Sequence, residues 1–176
     1  MRSSMPPCVC RVCGRLPRHR PSALPGRHRN SSPKRGLAMI VLTEEMRTAV
    51  NNALDDGHPV ISTSVGGDGQ PSLAFFGSTQ VYSDDQLAVW VRNREGGFLQ
   101  RIASNPHVAF LYRNPDFSQM WQFHGRARVV DDQQARDTIY DNSDKRERDR
   151  DPDRQGVAVV IDLDRVIERG QVTMER

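Results

Sequence analysis

The segment Gln86–Arg113, QLAVWVRNREGGFLQRIASNPHVAFLYR, leaves few ways for this chain to fold. Leu87, Val89 and Val91 alternate with Ala88, Trp90 and Arg92, the period of a half-buried strand. Phe98, Leu99 and Ile102 then recur at helical spacing until Asn105-Pro106 stops the helix, and Val108, Phe110 and Tyr112 resume the strand period. Between strand and helix, the loop Arg92–Gly97 gathers two guanidinium groups and two adjacent glycines. Arginine grips a phosphate with a bidentate fork, glycine admits a close backbone approach, and a helix N-terminus offers free N–H donors. An ordinary solvated turn has the same composition, so the loop alone leaves both readings open.

The flanking sequence extends the strand pattern. Thr43 is placed to cap a helix with Glu44 and Glu45 in its first turn and Met46, Ala49, Val50, Ala53 and Leu54 on one face, ended by Gly57. HPVISTSV is a β-branched run closed by GGDG, a hairpin signal. Pro71 opens one long strand, SLAFFGSTQVY, which Ser83-Asp84-Asp85 turns into the Leu87 strand. Asn114-Pro115-Asp116 is a further turn before a strand over Gln119–Val130, and Asp131 or Asp132 caps a helix through Ala135 and Ile139. Val157, Val159, Ile161 and Leu163 form the last strand, with a short terminal turn at Val166-Ile167. The expected class is mainly β (α+β): a six-stranded antiparallel split β-barrel with two or three covering helices.

Charge is distributed unevenly. Residues before Met39 hold nine of the Lys and Arg and no acid, whereas the remainder sets 16 basic against 22 acidic residues, a net charge of −6. All three cysteines and six of the 11 prolines also precede Met39. Residues 1–38 therefore read as a disordered basic Pro/Arg-rich extension, and a start at Met39 is the favoured account of them. Nucleic-acid contact is expected only through that extension, and a zinc site at Cys8, Cys10 and Cys13 lacks its second ligand pair. No apolar run reaches membrane-spanning length and no secretory core is visible, so a cytoplasmic domain over 39–176 is expected.

Conventional catalytic groupings are missing from that domain. It has no thiol, and His58, His107 and His124 are scattered without metal-ligand or nucleophile spacing. No metal is expected, and His124 reads as a structural histidine. Catalytic residues stay unassigned, so any reactive atoms should belong to a bound cofactor. Ser143–Gln155, SDKRERDRDPDRQ, balances five acids against five bases and reads as a solvated loop, with a cover over a neighbouring site as the lesser reading.

Together with the loop, three stretches, DGQPSLAFFGSTQVYSDDQLAVW, LQRIASNPHVAF and FHGRARVVDD, resemble the pyridoxamine 5'-phosphate oxidase-like family of FMN-binding split barrels, over about Leu42 to Arg169. The resemblance implies a cofactor along Phe76, Gly77, Ser78, Thr79 and Gln80, with its phosphate held from Val91, Arg92, Gly97 and Phe98. Asn93 stands where the oxidases have an asparagine, and Arg92 replaces their threonine. The family's phosphate-binding lysine falls at Phe98, and its Arg-x-Val-Leu-Leu-Lys strand falls on Phe76–Val81, so two charges are lost from the phosphate grip. Arg92 and Arg94 are the candidates to compensate, and Gln122 offers an amide to a flavin edge. Pyridoxamine-phosphate oxidation itself is not expected, because the family's C-terminal substrate-phosphate signature is missing. The implied protein is a homodimeric flavin (FMN) oxidoreductase acting on a small molecule by hydride transfer. A deazaflavin-dependent reductase and a non-catalytic flavin- or haem-binding module are the alternatives.

Overall fold

A computed structural model describes residues 40–176, so the cysteine-bearing basic extension lies outside the described residues. Among these, eight strands and four helices follow the order α1 (Glu44–Asn51), β1 (Ile61–Val65), β2 (Pro71–Phe75), β3 (Gln80–Ser83), β4 (Gln86–Val91), α2 (Gly97–Ser104), β5 (His107–Asn114), β6 (Gln119–Val130), α3 (Gln133–Asp141), α4 (Lys145–Arg148), β7 (Val157–Glu168) and β8 (Gln171–Glu175). The strands form one antiparallel sheet in the order β2-β1-β5-β6-β7-β4-β3, with β8 added to β7. Its two end strands, β2 and β3, are consecutive in the chain and do not pair with each other, so the barrel is split between them.

The class is as expected, but the strand count is eight rather than six. The run SLAFFGSTQVY is two strands, because the chain turns at residues 76–79, where the Thr79 amide donates to the Phe76 carbonyl at 3.1 Å. The second addition is at the C-terminus: β7 continues through Val166 and Ile167, and Gly170, at a φ of +82°, turns it into β8. That φ suits glycine, which has no Cβ to clash.

Local signals elsewhere act as written. Thr43 accepts from the Met46 amide at 3.2 Å and Asp132 from the Ala135 amide at 2.8 Å, each satisfying a helix N-terminal donor. The inward rows of the strands, among them Val89, Phe110, Tyr112, Trp121, Phe123, Val159 and Ile161, join Met46 and Val50 of α1 and Phe98 and Ile102 of α2 in the main core. One departure bears on the site. The β4 strand is buried on both faces, not one, because α3 lays Ile139 and Tyr140 over Ala88, Trp90, Ala158 and Val160 to make a second apolar cluster. No described helix is long and apolar enough to cross a membrane.

Candidate functional site

A cleft of about 480 Å³ opens where the barrel is split. The β2–β3 turn supplies Phe75, Phe76 and Gly77, the end of β4 supplies Trp90 to Asn93, and the start of α2 supplies Gly96 and Phe98. Leu54, Pro59, Glu147 and Arg150 complete the lining, and Leu54 and Glu147 both approach Gly77. Phe76 and Phe98 meet edge to face with centroids 4.8 Å apart, the preferred arrangement for the aromatic quadrupole. Apolar aromatic walls with a few polar groups at one end make a pocket for a flat organic ligand.

Six of the twelve residues singled out from sequence meet in this cleft: Phe76, Gly77, Val91, Arg92, Asn93 and Phe98. Three others lie beneath it with their side chains already engaged. Ser78 Oγ donates to the Trp90 carbonyl at 2.9 Å and accepts from the Trp90 amide at 3.0 Å. Thr79 Oγ1 donates to the Phe76 carbonyl at 2.7 Å, and Gln80 Nε2 donates to the Ile139 carbonyl at 2.9 Å. These buried groups brace the wall, because an unmade hydrogen bond there would cost more than a made one contributes. Gly97 is exposed and does not line the cleft; Arg101 Nη1 comes within 2.6 Å of the point its β-carbon would occupy. Arg101 itself reaches across to Ser64 Oγ at 2.9 Å and ties α2 to β1. Arg94 is exposed and does not line the cleft. Gln122 is on the outward face of β6, in a shallow depression with Ile61, Leu73 and Leu111. There its Oε1 lies 3.1 Å from His124 Nε2. Burial, helped by the nearby Arg165 charge, pushes the His124 imidazole below its ordinary pKa and so favours the neutral ring.

Sequence reasoning missed Leu54, Pro59, Phe75, Glu147 and Arg150. The charged run is not simply a solvated loop: it contains α4 and two buried acids, Glu147 and Asp151. Asp151 accepts from Trp90 Nε1 at 2.8 Å, from the Gly156 amide at 2.8 Å and from the Gln155 amide at 2.9 Å. Burial alone would raise its carboxyl, but these donors and the Arg92 charge outweigh that and hold it below the usual value. Glu147 divides its oxygens between Arg92 Nε at 3.1 Å and Arg150 Nη1 at 3.2 Å.

This donor set decides how FMN fits. The walls Phe75, Phe76, Trp90 and Phe98 suit an aromatic ring. The phosphate meets a competitor, because Arg92 and Arg150, the guanidiniums that would hold it, each already give one nitrogen to the Glu147 carboxylate.

A split antiparallel barrel with a cleft at the split defines the class of small split-barrel proteins. The chain belongs to the pyridoxamine 5'-phosphate oxidase family, whose model matches residues 42–168. No curated protein matches it. Among solved structures it is similar to Group A Streptococcus HupZ, with a TM-score of 0.61 and 15% identity over 77% of this chain and 99% of that one. It is also similar to an FMN-binding protein from Syntrophomonas wolfei, with a TM-score of 0.56 and 11% identity over 71% of this chain and 86% of that one. A FAD-binding protein from Mesorhizobium loti gives a TM-score of 0.52 and 18% identity over 72% and 93%. At these identities the likeness is one of fold.

Proposed function

We propose that the protein binds a flavin in the cleft at the barrel split and serves as an oxidoreductase for a small molecule. The observation that carries this reading is the cleft itself: an aromatic-walled space of about 480 Å³ formed by the β2–β3 turn, the end of β4 and the start of α2. Family membership and the flavin-binding names of two proteins of the same fold support the choice of ligand. The titratable side chains lining the cleft are Arg92, Glu147 and Arg150, a set able to position a ligand's polar end. The ligand must then bring the reactive atoms, and the protein supplies orientation and a partly dry environment.

The same reading includes a homodimer. Leu73 and Phe75 of the end strand β2 are 74% and 67% exposed, and they continue an outward apolar row through Ile61 and Leu111. Phe75 also lines the cleft, so a second copy seated on this face would help close it over the ligand.

The test offers the full chain FMN, FAD, riboflavin, a deazaflavin and haem separately and follows flavin fluorescence or the absorbance spectrum. Saturable binding of a flavin, followed by bleaching with a nicotinamide donor, is the expected result. Binding of the deazaflavin alone would move the assignment to a deazaflavin reductase, and of haem alone to a binding module without turnover. Absence of any binding would overturn the reading.

A further inference from the structure

One carboxylate, Glu147, lines the polar end of the cleft. Glu147 is only 8% exposed, and its Oε1 stands 2.8 Å from the point a β-carbon on Gly77 would occupy. A buried carboxylate is costly unless paired, and Glu147 is paired twice, to Arg92 and Arg150. The surrounding segment does not need it for anchorage. Asp144 caps α4 through the Arg146 amide at 2.7 Å, and Arg146 reaches Asp55 at 2.6 Å. The Tyr140 hydroxyl donates to the Asp151 carbonyl at 2.9 Å, with the Arg148 carbonyl a second, more distant acceptor at 3.2 Å. What Glu147 does is fill the point where two guanidiniums converge.

Those guanidiniums are 42% and 60% exposed and need no buried partner of their own, since water solvates them. Beside them begins α2, whose N-cap is Gly96 and which has no side chain on its first free amides. Two guanidiniums near an uncapped helix start form a donor set for an anion. The chain has placed its own anion there.

We propose that Glu147 is a resident anion that makes this cleft discriminate against a phosphomonoester. A ligand's phosphate must compete with the carboxylate for Arg92 and Arg150, whereas a ligand with an uncharged end leaves the pairing intact. Selectivity is a difference between two affinities, and an occupied subsite lowers only the one that needs it. The proposal rests on the flavin reading for the ligand, but the competition at Arg92 and Arg150 does not.

The experiment compares the full-length wild type, Glu147→Gln and Gly77→Ala, titrated with FMN, with riboflavin and with inorganic phosphate. The wild type should bind FMN and riboflavin with affinities within about threefold of each other, a small difference in free energy. Glu147→Gln should bind FMN at least about tenfold tighter than riboflavin and gain phosphate affinity by a similar factor. Adding Arg92→Ala to it should abolish the gain. Gly77→Ala should act in the same direction, because its β-carbon drives the carboxylate from its seat against yielding side-chain ends, and it covers the case that Glu147→Gln does not fold. A wild type that already prefers FMN about tenfold, or variants whose phosphate affinity is unchanged, would overturn the proposal. If neither flavin binds any variant, the flavin reading fails, and the phosphate titration still decides the role of Glu147.

Discussion

Asp151 shows how much one buried carboxylate can organise. It accepts from a tryptophan ring and two backbone amides, and hydrogen bonds to a charged acceptor contribute about 1.5–3 kcal/mol each. The Trp90 ring it holds also packs edge to face on Tyr140, at 5.1 Å. Asp151→Asn keeps the shape but exchanges an acceptor oxygen for a donor facing other donors. A loss of about 2–4 kcal/mol in unfolding free energy is expected, measured by urea titration at neutral pH. Because the folded-state carboxyl lies below its ordinary value of 3.8, its contribution is complete above the unfolded-state pKa and fades as pH falls through the folded one. Wild type should therefore lose more stability between neutral pH and pH of about 3 than Asp151→Asn does. Equal acid sensitivity would show that the carboxylate charge is not what holds the segment.

At the scale of elements, the charged run and α3 act as one cover. Helix α3 buries the outer face of β4 through Ile139 and Tyr140, and Tyr140 then passes its hydroxyl to the next segment. Arg154 lies over the Tyr140 ring, 4.4 Å from its centroid, and pairs with Asp137 and Asp141 of α3. Tyr140→Phe removes only the hydroxyl and should lower overall stability by about 0.5–1.5 kcal/mol. Its larger effect should be local. Amide hydrogen exchange over residues 143–155 should quicken while the amides of β6 and β7 keep their protection, because segments open in separate units with their own free energies. Uniform quickening across the sheet would mean that the cover and the barrel unfold together.

For the molecule as a whole, the split in the barrel sets both the cleft and the proposed contact between copies. Leu73 and Phe75 stand on the strand at one end of the sheet, and an apolar end strand left exposed among the described residues invites self-association. Leu73→Asp with Phe75→Asp should convert a dimer into a monomer in sedimentation or light scattering and should weaken ligand binding through Phe75. A wild type that is monomeric at every concentration would remove the dimer from the proposal.

Strand alternation, Pro and Gly stops, and the caps at Thr43 and Asp132 act over a few residues, so the chain's antiparallel β class and most element positions could be read without coordinates. The loop from Arg92 to Phe98 could likewise be placed between a strand end and a helix start, and four of its residues, Arg92, Asn93, Gly96 and Phe98, line the cleft. Glu147 was not legible. Within SDKRERDRDPDRQ its neighbours are alternating charges, and nothing within one turn distinguishes a buried acid from a solvated one. Nor could the sequence show that Ser78, Thr79 and Gln80 spend their polar atoms on Trp90, Phe76 and Ile139, or that Gln122 turns to another face. These outcomes depend on contacts between residues as far as 59 positions apart. Local propensity determined which segments are strands and helices. Tertiary packing decided which polar groups remain free for a ligand, because burial and pairing are properties of the assembled surface.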